Sequence, residues 1–247
     1  MKHLGWRAML AIGLIASSIL IFIANYLIFH NTEEELFLLV EELGFIPIEV
    51  LVVTLIIDQL LQKREKRSRL EKMNMVIGAF FSDVGLEVLR LIVSLDKNID
   101  NIRNSLRIGE DWEETDFTAA KESLRSYMPS LSFSPLDFEK LKVLLGAKKD
   151  FVLRLLENPN LLEHESFTDL LWAMSHVGEE LAARSDLRGL GKEDMSHLEN
   201  DVKRAYTLVM HEWLDYMKHL KTRYPYLYSL SVRTNPFNPN AKAEISS

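Results

Sequence analysis

No cysteine occurs in the 247 residues. Disulfides, thiolate metal sites and cysteine nucleophiles are therefore excluded. Glycine and proline are sparse, at 10 and 7, and no run of alternating polar and apolar residues suggests a strand. Also missing are a Walker loop, GxGxxG, GxSxG and HExxH. Basic residues are in the minority, 29 Lys and Arg against 36 Asp and Glu, for a net charge of −7. Such a chain is a poor nucleic-acid binder unless its cations cluster. They do so only at Lys63–Lys72, so nucleic acid is not an expected partner.

What is there is helix former, unevenly distributed. Ala8–Phe29 is 22 residues without a charge, long enough for a bilayer core of about 30 Å at about 1.5 Å per residue. A cleaved signal peptide would have a shorter apolar core. Phe45–Leu61 is a second apolar run of 17 residues, near the lower limit for crossing; a re-entrant or peripheral helix is the alternative. A short interfacial helix over Glu33–Leu43 and a break near Gly44–Pro47 are expected before it. No Lys or Arg lies between the two runs, whereas cations flank both. The positive-inside rule then places both termini in the cytoplasm and His30–Glu35 outside. The expected architecture is all-α: two transmembrane helices, the second continuous with a long stalk helix, then a cytoplasmic bundle of about five helices. The expected regions are 1–67 for the membrane part, 68–225 for the bundle and 226–247 for an extended aromatic and proline tail. That tail is expected to pack across the bundle as far as Phe237, with its end disordered.

The stalk is read from apolar residues at Leu70, Met73, Ile77, Phe80, Val84, Val88, Leu91, Leu95, Ile99, Ile102 and Leu106. Steps of three and four make a helix with a near-heptad seam, which packs either on its own bundle or on copies of itself. Gly78 and Gly85 fall on nearly the same side, where they either admit close approach by another helix or are simply tolerated. Further along, Ser134-Pro135-Leu136-Asp137 is a helix start: a serine cap, a proline in the first turn and a carboxylate three residues after the cap. Asn158-Pro159 stops that helix, and the last long helix is expected over Glu193–Arg223.

Candidate chemistry is thin. His211 and His219 share one helix with Glu212 and Asp215, and Asp194 precedes His197 by three, but no Glu-x-x-His pair of a di-iron bundle occurs. Surface or core histidines are the expectation, with no catalytic residue, metal or cofactor. The polar groups set inside the apolar runs are Asn25, Glu49 and Asp58, and ionisable groups there are costly and face protein or water. Lys63, Arg64, Lys66, Arg67, Arg69 and Lys72 form a collar suited to anionic lipid headgroups.

Two stretches carry a resemblance: Ile57-Asp58-Gln59-Leu60-Leu61 running on through Gln62, Lys63 and Arg64-Glu65, and the ending from Glu212 to Pro239. Together they resemble a group of uncharacterised prokaryotic two-span membrane proteins with a helical cytoplasmic domain. The resemblance implies an inner-membrane location and no activity. A membrane-anchored helical interaction or regulatory module, not an enzyme, is the function expected by elimination. Its partners would be membrane lipids, a cytoplasmic protein or further copies of the chain. The alternative is a subunit of an oligomeric ion channel or transporter.

Overall fold

A computed structural model of the chain describes residues 16, 19–20, 23–24, 27, 32–159, 161 and 164–244. It divides into two compact units, Met1–Glu65 and Lys66–Ser247. Every named element among the described residues is helical, which agrees with the all-α expectation.

Helix α1 runs unbroken over Thr32–Phe80, 49 residues. The expected break at Gly44–Pro47 does not occur. A proline removes one backbone hydrogen bond and kinks a helix; the helix-forming runs on both sides carry the chain through. The transmembrane expectation is overturned: no helix among the described residues is long and apolar enough to cross a membrane. The physical reason is visible in 45–61. Its 17 residues already hold Glu49 and Asp58, and extension meets Glu41 and Glu42 on one side and Lys63 and Arg64 on the other. The other expected span, Ala8–Phe29, lies almost wholly outside the described residues. With the spans go the multi-pass inner-membrane placement and the orientation derived from it. Within the first unit, Ile46, Val50–Val53, Leu55–Ile57, Leu60 and Leu61 are exposed.

The second unit has one core. The stalk seam lies in it: Met73, Ile77, Phe80, Val84, Val88, Ile99, Ile102 and Leu106 are buried. Packing within the chain therefore uses this face. The stalk is not one straight helix, however. A π-helical turn over Phe81–Gly85 follows α1, then α2 (Leu86–Val93), a bend, and α3 (Asp100–Leu106). The π-turn lets Phe80 and Phe81 both reach the core, at 0% and 1% exposure. Their rings meet edge to face, and Phe81 stacks on Tyr216 at 5.2 Å. A Cβ on Gly85 would lie 2.7 Å from both phenylalanine rings, and one on Gly78 would lie 3.1 Å from the Tyr216 hydroxyl. Both glycines thus admit aromatic rings, one from its own turn and one from a neighbouring helix.

The bend is set by Asp96, buried at 4% exposure. Its carboxylate accepts from the Asn98 and Ser130 amides at 3.1 and 3.0 Å and from the Tyr127 hydroxyl at 2.6 Å. A buried carboxylate persists only with such donors. Burial first, then the Asp96 carboxylate, pushes the Tyr127 phenol well above its ordinary range.

Helix α4 (Glu114–Arg125) leads to α5 (Pro135–Leu156). The cap expected at Ser134 is present: its hydroxyl accepts from the Asp137 amide at 3.3 Å, and the Asp137 carboxylate accepts from the Ser134 amide at 3.1 Å. Helices α6 (Glu165–Ala183) and α7 (Lys192–Arg223) follow, and they form the most extensively packed pair. The tail is not extended at first: Pro225–Arg233 is a nine-residue helix, α8. Beyond it Asn235 donates to the Leu106 carbonyl at 2.8 Å, and buried Phe237 lies 4.9 Å from the Trp213 ring.

Candidate functional site

The site grows out of the α6–α7 seam. Three contacts fix its antiparallel register: Arg184 with Asp194, Glu180 with His197, and His176 with Asp201. Each step moves back one turn on α6 and forward one turn on α7, the spacing that brings side chains onto one helix face. At the closed end Arg184 bonds both Asp194, at 2.6 and 3.1 Å, and Glu180, at 2.6 Å. The Arg184 hydrogen bonds hold the Glu180 and Asp194 carboxyls below their ordinary range.

At the next level sits Asp201, whose side chain is 7% exposed. His176 Nε2 and His197 Nε2 stand 3.5 and 3.3 Å from its Oδ2, and Arg204 Nη2 stands 3.8 Å from Oδ1. None of these is an aligned hydrogen bond, and Oδ2 has no hydrogen-bond partner. The contacts are electrostatic, and each histidine adds charge only when protonated.

Beyond Asp201 the seam opens into a cleft of about 830 Å³. Asp169, Trp172, Ala173 and His176 line it from α6, and Asn200, Lys203, Arg204, Thr207 and Leu208 from α7. Both sets follow the three-and-four spacing of a single helix face. Trp172 is 62% exposed, in contrast to Trp213 in the core at 1%. Among the described residues no carboxylate pairs with Lys203. The Thr207 hydroxyl donates to the Lys203 carbonyl at 2.9 Å, as helical threonines commonly do. The volume lies within the usual range for ligand pockets, about 300–1,000 Å³.

The residues singled out from sequence are scattered. His211 and His219 are both held below the ordinary histidine range, chiefly by burial. Burial raises the Glu212 carboxyl above its ordinary range, against the Ser166 hydroxyl, which lowers it. Asp215 accepts from Lys121 at 2.6 Å. Among the described residues no three His, Asp or Glu side chains converge as metal ligands. Asp194 and His197 do lie at the site, as rungs of the ladder. Glu49 is exposed, and Asp58, also exposed, accepts from the Gln62 amide at 2.8 Å. Asn25 and the side chain of Arg69 lie outside the described residues. Of the collar, Lys63, Arg64, Lys66, Arg67 and Lys72 are exposed. Arg67 pairs with Glu71 at 3.4 Å. The lipid role of this collar depended on an adjoining span. Sequence reasoning missed Trp172, His176, Lys203 and Arg204; the available signal was a tryptophan at a position where the α6 apolar stripe calls for none.

Residues 69–233 match the family described as "Uncharacterized protein MJ1433, C-terminal helical domain", and residues 2–61 match "MJ1433, N-terminal helical domain". The chain belongs to this family. "Uncharacterized protein MJ1433" of Methanocaldococcus jannaschii is 47% identical over 233 residues, 94% of each chain. No solved structure matches. The resemblance drawn from sequence thus holds for an uncharacterised family with helical N- and C-terminal domains; nothing shows a two-span membrane character for the MJ1433 family.

Proposed function

We propose that the chain is a helical interaction module that binds its ligand in the α6–α7 cleft, and that it is not an enzyme. The observation that carries this reading is Trp172, a large aromatic held 62% exposed over a cleft whose lysine is unpaired. An exposed tryptophan beside convergent polar groups is the composition of a binding site. Asp169, His176 and Lys203 are the lining groups suited to proton transfer, and among the described residues none is hydrogen-bonded to another. Among the described lining residues the one hydroxyl, on Thr207, is committed to a helix carbonyl, so no base-activated hydroxyl accompanies them.

The test is a thermal-shift screen of a small-molecule library on the full chain and on Trp172→Ala. A ligand at about 100 times its Kd stabilises a fold by about 2.7 kcal/mol. Compounds that stabilise the wild type and not the variant support the reading. A set of compounds that stabilise both equally removes the cleft from it.

A second reading rests on the exposed apolar run at Ile46–Leu61 in the first unit. Contiguous exposed apolar surface marks contact with another protein, and self-association would cover it. Analytical ultracentrifugation distinguishes the outcomes: a monomer at all concentrations rules this reading out. The oligomeric-channel alternative required membrane spans and has no such support.

A further inference from the structure

The α6–α7 cleft separates two kinds of surface along its length. Trp172 offers an aromatic face, and Asp169 and His176 flank it three residues before and four after on the same helix. By the register of the ladder, Lys203 and Arg204 lie on α7 across from the Trp172 level. From Asp169 to His176 is seven residues, about 10 Å at 1.5 Å per residue. The chain as a whole is acidic at −7, yet the cleft lining holds two cations against one carboxylate. Arg204 is only loosely engaged, 3.8 Å from Asp201, with a side chain 69% exposed.

We propose that the cleft binds a small aromatic anion, a flat ring carrying one phosphate or carboxylate, with the ring on Trp172 and the anion between Lys203 and Arg204. This rests on the reading of the cleft as a binding site and adds the chemical class of its ligand. Stacking on a tryptophan is available to any flat ring and is worth about 1–3 kcal/mol. It is therefore permissive, and the selectivity comes from the anion. A guanidinium takes a phosphate or carboxylate in a fork, and the lysine adds a mobile point charge. The Asp169–His176 spacing, about 10 Å, is long enough for one ring system and one anionic group. Asp201 lies next to the cleft and is not part of its lining. Arg204 sets a fixed positive charge beside its carboxylate, and His176 and His197 add to it only when protonated.

The experiment follows the indole N–H resonance of Trp172 in the full chain labelled with ¹⁵N-tryptophan. Four probes are titrated: adenosine 5′-monophosphate, 2-naphthoate, neutral adenosine and inorganic phosphate. At least one of the two aromatic anions is expected to shift Trp172 at a concentration about tenfold below that needed by adenosine or phosphate. Which of the two is tighter tells phosphate from carboxylate. The double variant Lys203→Ala with Arg204→Ala is expected to remove the preference for the anion while leaving adenosine unchanged. Lys203 is half-buried and Arg204 exposed, and the spectrum of buried Trp213 verifies that the variant keeps its fold. Equal response to adenosine and the anions overturns the ligand class and leaves the cleft as a site. No response of Trp172 to any probe, with library compounds still acting through it, also overturns the class. No response to probes or library overturns both.

Discussion

Arg184 holds Asp194 through two parallel hydrogen bonds, Nη2 to Oδ1 at 2.6 Å and Nε to Oδ2 at 3.1 Å. The same guanidinium takes Glu180 at 2.6 Å, so one side chain closes the end of the α6–α7 seam. The arginine is 19% exposed and its partners 39% and 27%, so solvent screens the pairs appreciably.

Replacing Arg184 with Ala is expected to cost on the order of 1 kcal/mol at neutral pH, measured by urea unfolding. Arg184→Lys keeps the charge and loses the fork, and is expected to recover only part of this. The pH dependence has a fixed sign. The folded Glu180 and Asp194 carboxyls lie below their ordinary values of 4.5 and 3.8. Their contribution is therefore full above those values and is lost as pH falls through the depressed folded ones. The gap between wild type and Arg184→Ala is expected to narrow below about pH 4.

Glu212 behaves in the opposite way. It is 2% exposed and its Oε2 has no hydrogen-bond partner. Burial raises its carboxyl above 4.5, so the fold is favoured while it stays protonated and loses stability as pH rises from there through the folded value. Glu212→Gln keeps the shape without the charge. It is expected to match the wild type near pH 4 and to exceed it at pH 7, by about 1–3 kcal/mol, in the same unfolding assay.

Two glycines should respond with opposite signs. A Cβ at Gly85 meets the Phe80 and Phe81 rings at 2.7 Å, and both rings are locked in the core. Gly85→Ala is expected to destabilise by about 1–3 kcal/mol. Gly146, exposed on α5 with nothing within 4 Å of a Cβ, gains helix propensity instead. Gly146→Ala is expected to stabilise by about 0.5–1 kcal/mol, read as a rise in Tm.

Asn235 ties the tail to the end of the stalk. It is 1% exposed, donates to the Leu106 carbonyl at 2.8 Å and accepts from the Phe237 amide at 2.8 Å. Asn235→Ala strands the Phe237 amide and leaves the Leu106 carbonyl with only the Ile108 amide as donor, at 3.0 Å, and an expected loss of about 1–3 kcal/mol follows.

Much of the second unit was legible because its residues act locally. The seam from Met73 to Leu106 has the spacing of a buried helix face, and Ser134 with Asp137 forms a cap from neighbours three apart. The bend at Asp96 was not legible: its partners, Ser130 and Tyr127, are more than thirty residues away. The run 45–61 suggested a span because Glu49 and Asp58 are tolerable inside one when they face protein or water. The cleft was illegible for a different reason. Trp172 and Lys203 lie on separate helices, and only the register set by His176 and Asp201 brings them to one opening.

The central claim is that Trp172 reports the occupied site. Its direct measurement is the ¹⁵N–¹H spectrum of tryptophan-labelled full chain with each compound that stabilises the wild type in the thermal-shift screen. The Trp172 indole resonance, assigned by its loss in Trp172→Phe, is expected to shift with these compounds, while that of Trp213, buried at 1% exposure, stays in place. Stabilising compounds that leave the Trp172 resonance unmoved would contradict the account.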